Sequence, residues 1–123
     1  MATPTSTASL LATVAEPTRL RILNCLAAAP LFVSDLQAVL DVPQPTVSRH
    51  LQVLRRADLV RDTPIAQFVL YRLRRETGPQ GRLLGAILDS AATDATLRSE
   101  REAAAERSRS HTRTRVEDPR SLR

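Results

Sequence analysis

Two short amphipathic segments joined by a proline-containing turn constrain the fold of this chain more than any other feature. The apolar residues of the first segment fall at helical spacing and are Val33, Leu36, Val39 and Leu40. The apolar stripe of the second segment is Val47, Leu51 and Leu54. The residue before a proline avoids the helical region, so Val42 and Gln44 are expected to be extended or turn-like. Two short helices joined in this way predict a helix-turn-helix unit.

Polar side chains open the second helix and point away from its apolar stripe. They form the run Gln44-Pro45-Thr46-Val47-Ser48-Arg49-His50. The major groove of DNA offers donors and acceptors that suit Gln, Ser, Thr and Arg, so this order favours a helix that reads base edges. The alternative is a pair of core helices in a small α-protein, which would not need its polar residues grouped at the helix start.

The positive charge of the chain is concentrated beside this second helix. The 123 residues carry a formal charge of +5, and every basic residue is an arginine. Between Arg49 and Arg82, eight arginines stand against three acidic residues. A basic sector centred on the reading helix is the feature that a phosphate-binding face requires. With two Phe, one Tyr and no Trp, the chain lacks the aromatic side chains that bind single strands by base stacking.

A β-hairpin is predicted directly after the second helix. Residues 59–61 and 67–73 are rich in β-forming side chains, and residues 62–66 are a turn candidate. A hairpin in this place is the wing of a winged helix. We expect Arg61 and Gln67 near its tip and Arg72, Arg74 and Arg75 at its exit, where some of them would contact phosphates.

The sequence divides into a central domain and two tails. Residues 1–7 are rich in Thr, Ser, Ala and Pro and are expected to be flexible, and residues 8–98 form the winged helix-turn-helix domain. After the break at residues 78–81, one long helix is predicted. Residues 99–123 are charged and predicted to be a largely disordered tail, although residues 100–106 could extend the helix.

The first helix and the long last helix present apolar residues that the central helices do not need. We predict that they form a symmetric homodimer interface. The residues concerned are Leu10, Leu11, Val14, Leu84, Ile87, Leu88 and Ala91. The alternative is that these side chains pack within their own subunit.

Several other classes of protein are disfavoured. The single cysteine, Cys25, lies within an apolar pattern and is interpreted as a core residue, so no disulfide forms within one chain. The first residues lack the features of a signal peptide, and no apolar run approaches the ~20 residues that cross a bilayer. We therefore expect a cytoplasmic protein without a membrane partner. No nucleophile–base pair or glycine-rich phosphate loop is evident, so an enzyme is not expected.

Three segments together resemble the ArsR/SmtB family of small bacterial winged-helix regulators. They are AEPTRLRILNCL (15–26), SDLQAVLDVPQPTVSRHLQVLRRADLVRD (34–62) and FVLYRL (68–73). The resemblance covers about residues 8–95. It implies a homodimer that binds a palindromic double-stranded operator near a promoter and releases it when an inducer binds.

The resemblance also implies roles for individual residues of the helix and the wing. The positions that would contact bases are Gln44, Thr46, Ser48 and Arg49. The positions that would contact the DNA backbone are His50, Arg55, Arg61, Gln67 and Arg72. An alternative use of the same platform is a protein-interaction module.

The sensor positions depart from the family pattern. Phe32-Val33-Ser34-Asp35 stands where arsenic- and cadmium-sensing members carry Cys-x-Cys, and the C-terminal helix lacks the ligand His residues of zinc-sensing members. His111 is a weak metal candidate in the tail. The chain also resembles nickel-linked members of the family, which makes Ni(II) the first ion to test as a cofactor. Three possibilities stay open: weak metal binding, no metal response, or a co-regulator protein that senses the signal.

Overall fold

The computed structural model describes the backbone of residues 6–117 and the side chains of residues 6–111. The elements are α1 (Thr7–Ala15), α2 (Pro17–Ala28), β1 (Leu31–Phe32), α3 (Val33–Leu40), α4 (Gln44–Arg56), β2 (Val60–Ile65), β3 (Phe68–Leu73), α5 (Pro79–Ala91) and α6 (Ala95–Glu117). The chain is mainly helical with a hairpin after α4, so the predicted winged helix-turn-helix fold is confirmed. Most of the N-terminal segment predicted to be flexible lies outside the described residues, but Thr7 already belongs to α1.

The predicted helix-turn-helix consists of α3 and α4, packed against α2. A carboxylate of Asp35 accepts a hydrogen bond from the backbone N–H of Phe32 at 2.9 Å, which satisfies a donor at the start of α3. Asp41 ends α3 with a left-handed φ of 54° and turns the chain toward α4. The apolar faces meet in a fully buried core that includes Ile22, Leu23, Leu36, Val47, Leu51 and Leu54.

The start of α4 differs from the prediction, which expected Gln44 to be extended. Gln44 is the first helical residue, and Pro45 lies in the first turn. The backbone N–H groups of Thr46 and Val47 both donate to the carbonyl of Pro43, at 3.0 and 3.1 Å. Because first-turn N–H groups have no acceptor inside the helix, a proline at this position costs no hydrogen bond. That tolerance outweighed the pre-proline preference for extended backbone.

The wing, residues 60–73, is a hairpin whose turn lies further along the chain than predicted. Ile65 pairs with Phe68, so the turn is Ala66-Gln67, and Ala66 has a φ of 56°. Pro64 lies inside β2 opposite Val69. The sheet order is β1-β3-β2, so β2 is an edge strand and a proline there need not donate to a neighbour. The two-residue strand β1, which pairs with β3, was not predicted.

The predicted long C-terminal helix is two helices. Residues 92–94 separate α5 from α6, and the carboxylate of Asp94 accepts from the backbone N–H groups of Thr96 and Leu97 at 3.0 and 3.1 Å. Asp94 therefore caps the start of α6. No helix among the described residues is both long and apolar enough to span a bilayer.

The C-terminal tail also differs from the prediction of disorder. Helix α6 continues to Glu117 and packs along α2 and α3, with Ala104 fully buried. Its anchors are polar: Arg21 pairs with Glu100 at 2.6 Å, and Arg107 pairs with Asp35 at 2.9 Å. A search for apolar residues misses this helix, because charged side chains attach it to α2 and α3. The partners of these side chains lie more than 70 positions upstream. Residues 118–123 of the predicted tail lie outside the described residues.

The predicted dimer residues are largely covered within one chain. Leu10, Val14, Leu84, Leu88 and Ala91 have exposed fractions of 6% or less. Leu11 is 47% exposed and Ile87 is half-buried, so these two can contact a second subunit. The other five side chains were wrongly placed in the interface, because α1, α5 and α6 pack on α2 of the same chain and cover them.

Two glycines of α5 are expected to respond oppositely to alanine. A Cβ on Gly81 would stand 1.9 Å from the carbonyl oxygen of Glu76, whereas a Cβ on Gly85 would meet nothing within 4 Å. Gly81→Ala should lower the free energy of unfolding by about 1–3 kcal/mol through overpacking. Gly85→Ala should raise it by about 0.5–1 kcal/mol through helix propensity. Urea denaturation checks both, and equal effects of the two variants would contradict this account.

Candidate nucleic-acid interface

Helix α4 presents a polar face directly beside its buried stripe. Gln44 and Arg49 are exposed, and Thr46 and Ser48 are half-buried. The side-chain amide of Gln44 donates to the hydroxyl of Ser48 at 2.8 Å, which joins two of these side chains one turn apart. The four predicted base-contacting residues therefore lie on the first two turns of α4. Gln44 and Ser48 share one side of the helix, and Thr46 and Arg49 point to other sides, since successive residues are rotated by about 100°.

Arg49 is the arginine of these first two turns. Among the described side chains, no carboxylate pairs with its guanidinium and no acceptor binds it. A guanidinium presents a planar fork of donors that fits the O6 and N7 atoms of guanine. Because folding does not use this fork, it is available to a ligand.

His50 points away from the face on which it was predicted to act. Its side chain is 13% exposed and lies 3.7 Å from a carboxylate oxygen of Glu16 and 3.4 Å from the guanidinium of Arg19. Glu16 in turn caps α2 by accepting from the backbone N–H of Arg19 at 2.8 Å. His50 thus lies between α4 and the start of α2, and its contact with the DNA backbone stays a prediction.

The arginines of the wing lie along its strands rather than at its tip. Arg61 stands directly opposite Arg72 in the fifth pair of the ladder counted from the turn, and Gln67 is in the turn itself. The prediction that Arg61 is near the tip was therefore wrong, because the turn lies later in the chain than expected. Arg72 donates to the hydroxyl of Thr63 at 3.0 Å. Like charges opposite each other destabilise a hairpin, and this pair concentrates positive charge on one face of the wing.

Arg55 is partly engaged within the fold. Its guanidinium pairs with Asp62 of β2 at 2.9 Å and ties the end of α4 to the wing. The Arg55 side chain is still 53% exposed, so its other donors can reach a phosphate.

A groove of about 370 Å³ runs between α4 and the wing. Its lining includes Gln44 and Ser48 of α4, Gln67 and Phe68 of the wing, and Phe32 and Gln37. The groove joins the polar face of α4 to the wing tip, so the two form one continuous surface.

The described residues offer little to a metal ion. They contain no group of three or more His, Cys, Asp or Glu side chains close enough to hold one. Burial raises the pKa of the Cys25 thiol to about 12, with the nearby Glu100 as a further cause, so no thiolate is available there. The weak candidate His111 pairs with Asp35 at 2.6 Å, and the same carboxylate oxygen accepts from Arg107 at 2.9 Å. A guanidinium on this oxygen opposes binding of a cation.

Asp35 is a fully buried carboxylate that α6 neutralises. Burial raises its pKa, but hydrogen bonds from His111, the Phe32 backbone and Arg107 outweigh burial and hold the pKa below its ordinary value. A group with a lowered pKa stabilises the fold when ionised.

We therefore expect acid to weaken the fold through Asp35. Its contribution is complete above the unfolded pKa and is lost as the pH falls through the folded pKa. The urea midpoint should fall as the pH drops below about 5. The midpoint of Asp35→Asn should fall less steeply, because Asn does not titrate. Parallel pH profiles for the two proteins would contradict this assignment.

The fold and the exposed face of α4 define the chain as a winged helix-turn-helix protein of the DNA-binding class. A family model described as a helix-turn-helix domain matches residues 14–63. The biofilm growth-associated repressor of Agrobacterium fabrum is 42% identical over 72 residues, which are 58% of this chain and 62% of that protein.

Two solved structures are similar over 72% of this chain. The transcriptional repressor BigR from Xylella fastidiosa is 27% identical with a TM-score of 0.62, covering 72% of this chain and 85% of that one. A possible transcriptional regulator for arsenical resistance is 36% identical with a TM-score of 0.53, covering 72% and 90%. The chain belongs to the ArsR/SmtB family of winged-helix regulators. Members of this family are regulatory DNA-binding proteins rather than enzymes, in agreement with the expectation from the sequence.

Sequence reasoning missed three side chains of the site. Arg19 orients His50, Asp35 fastens α6 to α3, and Phe68 stands 56% exposed at the wing tip. Arg19 could have been found from the sequence, because it lies in the PTRL segment that resembles the family. Nothing in the local sequence marked Asp35 as buried, and placing Phe68 required the correct turn.

Proposed function

We propose that this chain is a sequence-specific transcriptional regulator that binds a palindromic DNA operator as a homodimer. The polar face of α4 lies in the major groove, and the arginines of the wing contact the neighbouring phosphates. The observation that carries this proposal is the guanidinium of Arg49, which is exposed on α4 and has no partner among the described side chains.

Phosphate contacts in this proposal come from exposed arginines around the reading helix. Arg55, Arg61 and Arg72 are exposed, and Arg61 has no ion-pair partner among the side chains that the structure describes. Such contacts position the protein, whereas base contacts from α4 select the sequence. Each phosphate neutralised should steepen the salt dependence of binding by about 0.9 in the log–log slope.

A homodimer would use the parts of α1 and α5 that remain accessible. Leu11 is a large exposed apolar side chain of α1, and Ile87 is half-buried on α5. A two-fold axis would place two copies of α4 about one helical turn of DNA apart, which matches a palindrome. Sedimentation equilibrium of the wild type and Leu11→Glu tests this use of the surface.

Fluorescence anisotropy with the DNA upstream of its own gene tests the function directly. We expect preference for that duplex over a scrambled one and a steep loss of affinity with added salt. Equal binding to both duplexes, together with a tight protein partner, would support the interaction-module alternative.

We propose that release of the operator is controlled either by a metal ion that binds this chain, with Ni(II) as the first ion to test, or by a co-regulator protein. Support for the second route is that the described residues hold no three-ligand group. A footprint of the operator with and without Ni(II), Zn(II) or Co(II) separates the routes. Release of DNA by the ion alone supports direct sensing, and unchanged protection supports a partner.

A further inference from the structure

Phe68 is an exposed aromatic side chain at the tip of the wing. It is the first residue of β3, directly after the turn, and 56% of it is accessible. Its ring packs edge-on against Phe32, with ring centroids 6.1 Å apart and planes at 69°. Phe32 therefore supports the ring on one side while much of its surface meets water. An isolated exposed apolar residue needs no explanation, so the surroundings of Phe68 decide what it does.

The surroundings of Phe68 belong to the surface that faces DNA in the proposed function. Phe68 lines the same groove as Gln44 and Ser48 of the reading helix. When α4 lies in the major groove and the wing reaches the adjacent minor groove, one sugar–phosphate strand separates them. That strand must pass over the groove between α4 and the wing, where the ring of Phe68 stands.

The charges near Phe68 favour a nucleic-acid strand over an apolar partner. Side chains alternate along a strand, so Phe68 and Arg72 share a face of β3, and Arg61 stands opposite Arg72. Asp62, the acidic residue of β2, is occupied by Arg55. An apolar ring at the tip, with an arginine pair further along the same face, suits a strand whose sugars are apolar and whose phosphates are anionic.

We propose that Phe68 packs against the deoxyribose sugars that border the minor groove, as an uncharged anchor of the wing. The proposal rests on the proposed function and adds a contact that the basic side chains do not supply. Because every nucleotide carries the same sugar, the contact is independent of sequence. It contributes to affinity, but neither to operator preference nor to the number of counterions released.

Binding of the full-length wild type, Phe68→Ala, Leu70→Ala and Arg72→Ala to operator and scrambled duplexes at four salt concentrations tests this contact. Leu70 is the matched control, since it lies on the same face of β3, two residues further from the tip. We expect Phe68→Ala to bind both duplexes about 5- to 20-fold more weakly with an unchanged salt slope. Leu70→Ala should bind within about two-fold of wild type, and Arg72→Ala should flatten the slope by about 0.9.

The outcomes separate this proposal from the proposed function. Wild-type affinity of Phe68→Ala, a loss on the operator alone, a flattened slope, or an equal loss in Leu70→Ala would each overturn the sugar contact. A wild type without operator preference would overturn sequence-specific regulation. Even in that case, an equal loss of affinity for both duplexes in Phe68→Ala would establish the sugar contact. If the wild type bound neither duplex, both proposals would fail. Melting curves of each variant show whether the hairpin is intact.

Discussion

Asp35→Ala is expected to lower the free energy of unfolding by about 3 kcal/mol. The carboxylate is fully buried and holds three donors from two elements: the Phe32 backbone, Arg107 and His111. Removing it leaves the Phe32 N–H without its acceptor and releases the second half of α6 from α3. Urea denaturation followed by circular dichroism measures the loss, and the helical signal of α6 should melt first.

Asp62→Ala provides the matched control for this experiment. Asp62 also pairs with an arginine at 2.9 Å, but its side chain is 33% exposed and that of Arg55 is 53% exposed. An exposed ion pair contributes only about 0–1 kcal/mol. If the two variants differed by less than about 0.5 kcal/mol, Asp35 would not be the anchor of α6 that its geometry indicates.

Arg49→Ala is expected to weaken binding to the operator by about 1–3 kcal/mol and to relax the preference at one base pair. The guanidinium has no partner among the described side chains, so its removal should leave the fold intact. Anisotropy titrations against an operator and its single-base variants measure both effects. The melting temperature should match that of the wild type.

Arg98→Ala removes the same charge from an exposed position on α6, outside α4 and the wing. It should bind the operator and its variants like the wild type. Equal losses in the two variants would mean that overall charge, rather than a base contact by Arg49, produces the effect.

The sequence was informative where local spacing determines the structure. The stripe Val47, Leu51 and Leu54 predicted the orientation of α4, because those residues fill the core and force the polar residues outward. The β-forming residues predicted the wing, but they did not predict the position of its turn. The sequence predicts Pro64 in the turn, and only the sheet order shows that it lies on an edge strand.

The remaining differences depend on contacts between distant residues. Asp35 and His111 are separated by 76 positions, and neither has a neighbour in the sequence that indicates the pair. Without knowledge of the contact between Asp35 and His111, the sequence of α6 is typical of a charged tail exposed to solvent. In the same way, His50 lies in the polar run of α4, and only the position of Glu16 and Arg19 shows that it points inward.

A DNA-cleaving reagent tethered to α4 tests the central claim most directly. Ser48→Cys supplies the attachment point, and the native Cys25 is fully buried and stays unmodified. Ser99→Cys on α6 is the control. If α4 reads the operator, Ser48→Cys should cut within two half-sites about one helical turn apart, and Ser99→Cys should leave them intact. Retained binding without cleavage from Ser48→Cys would contradict the account.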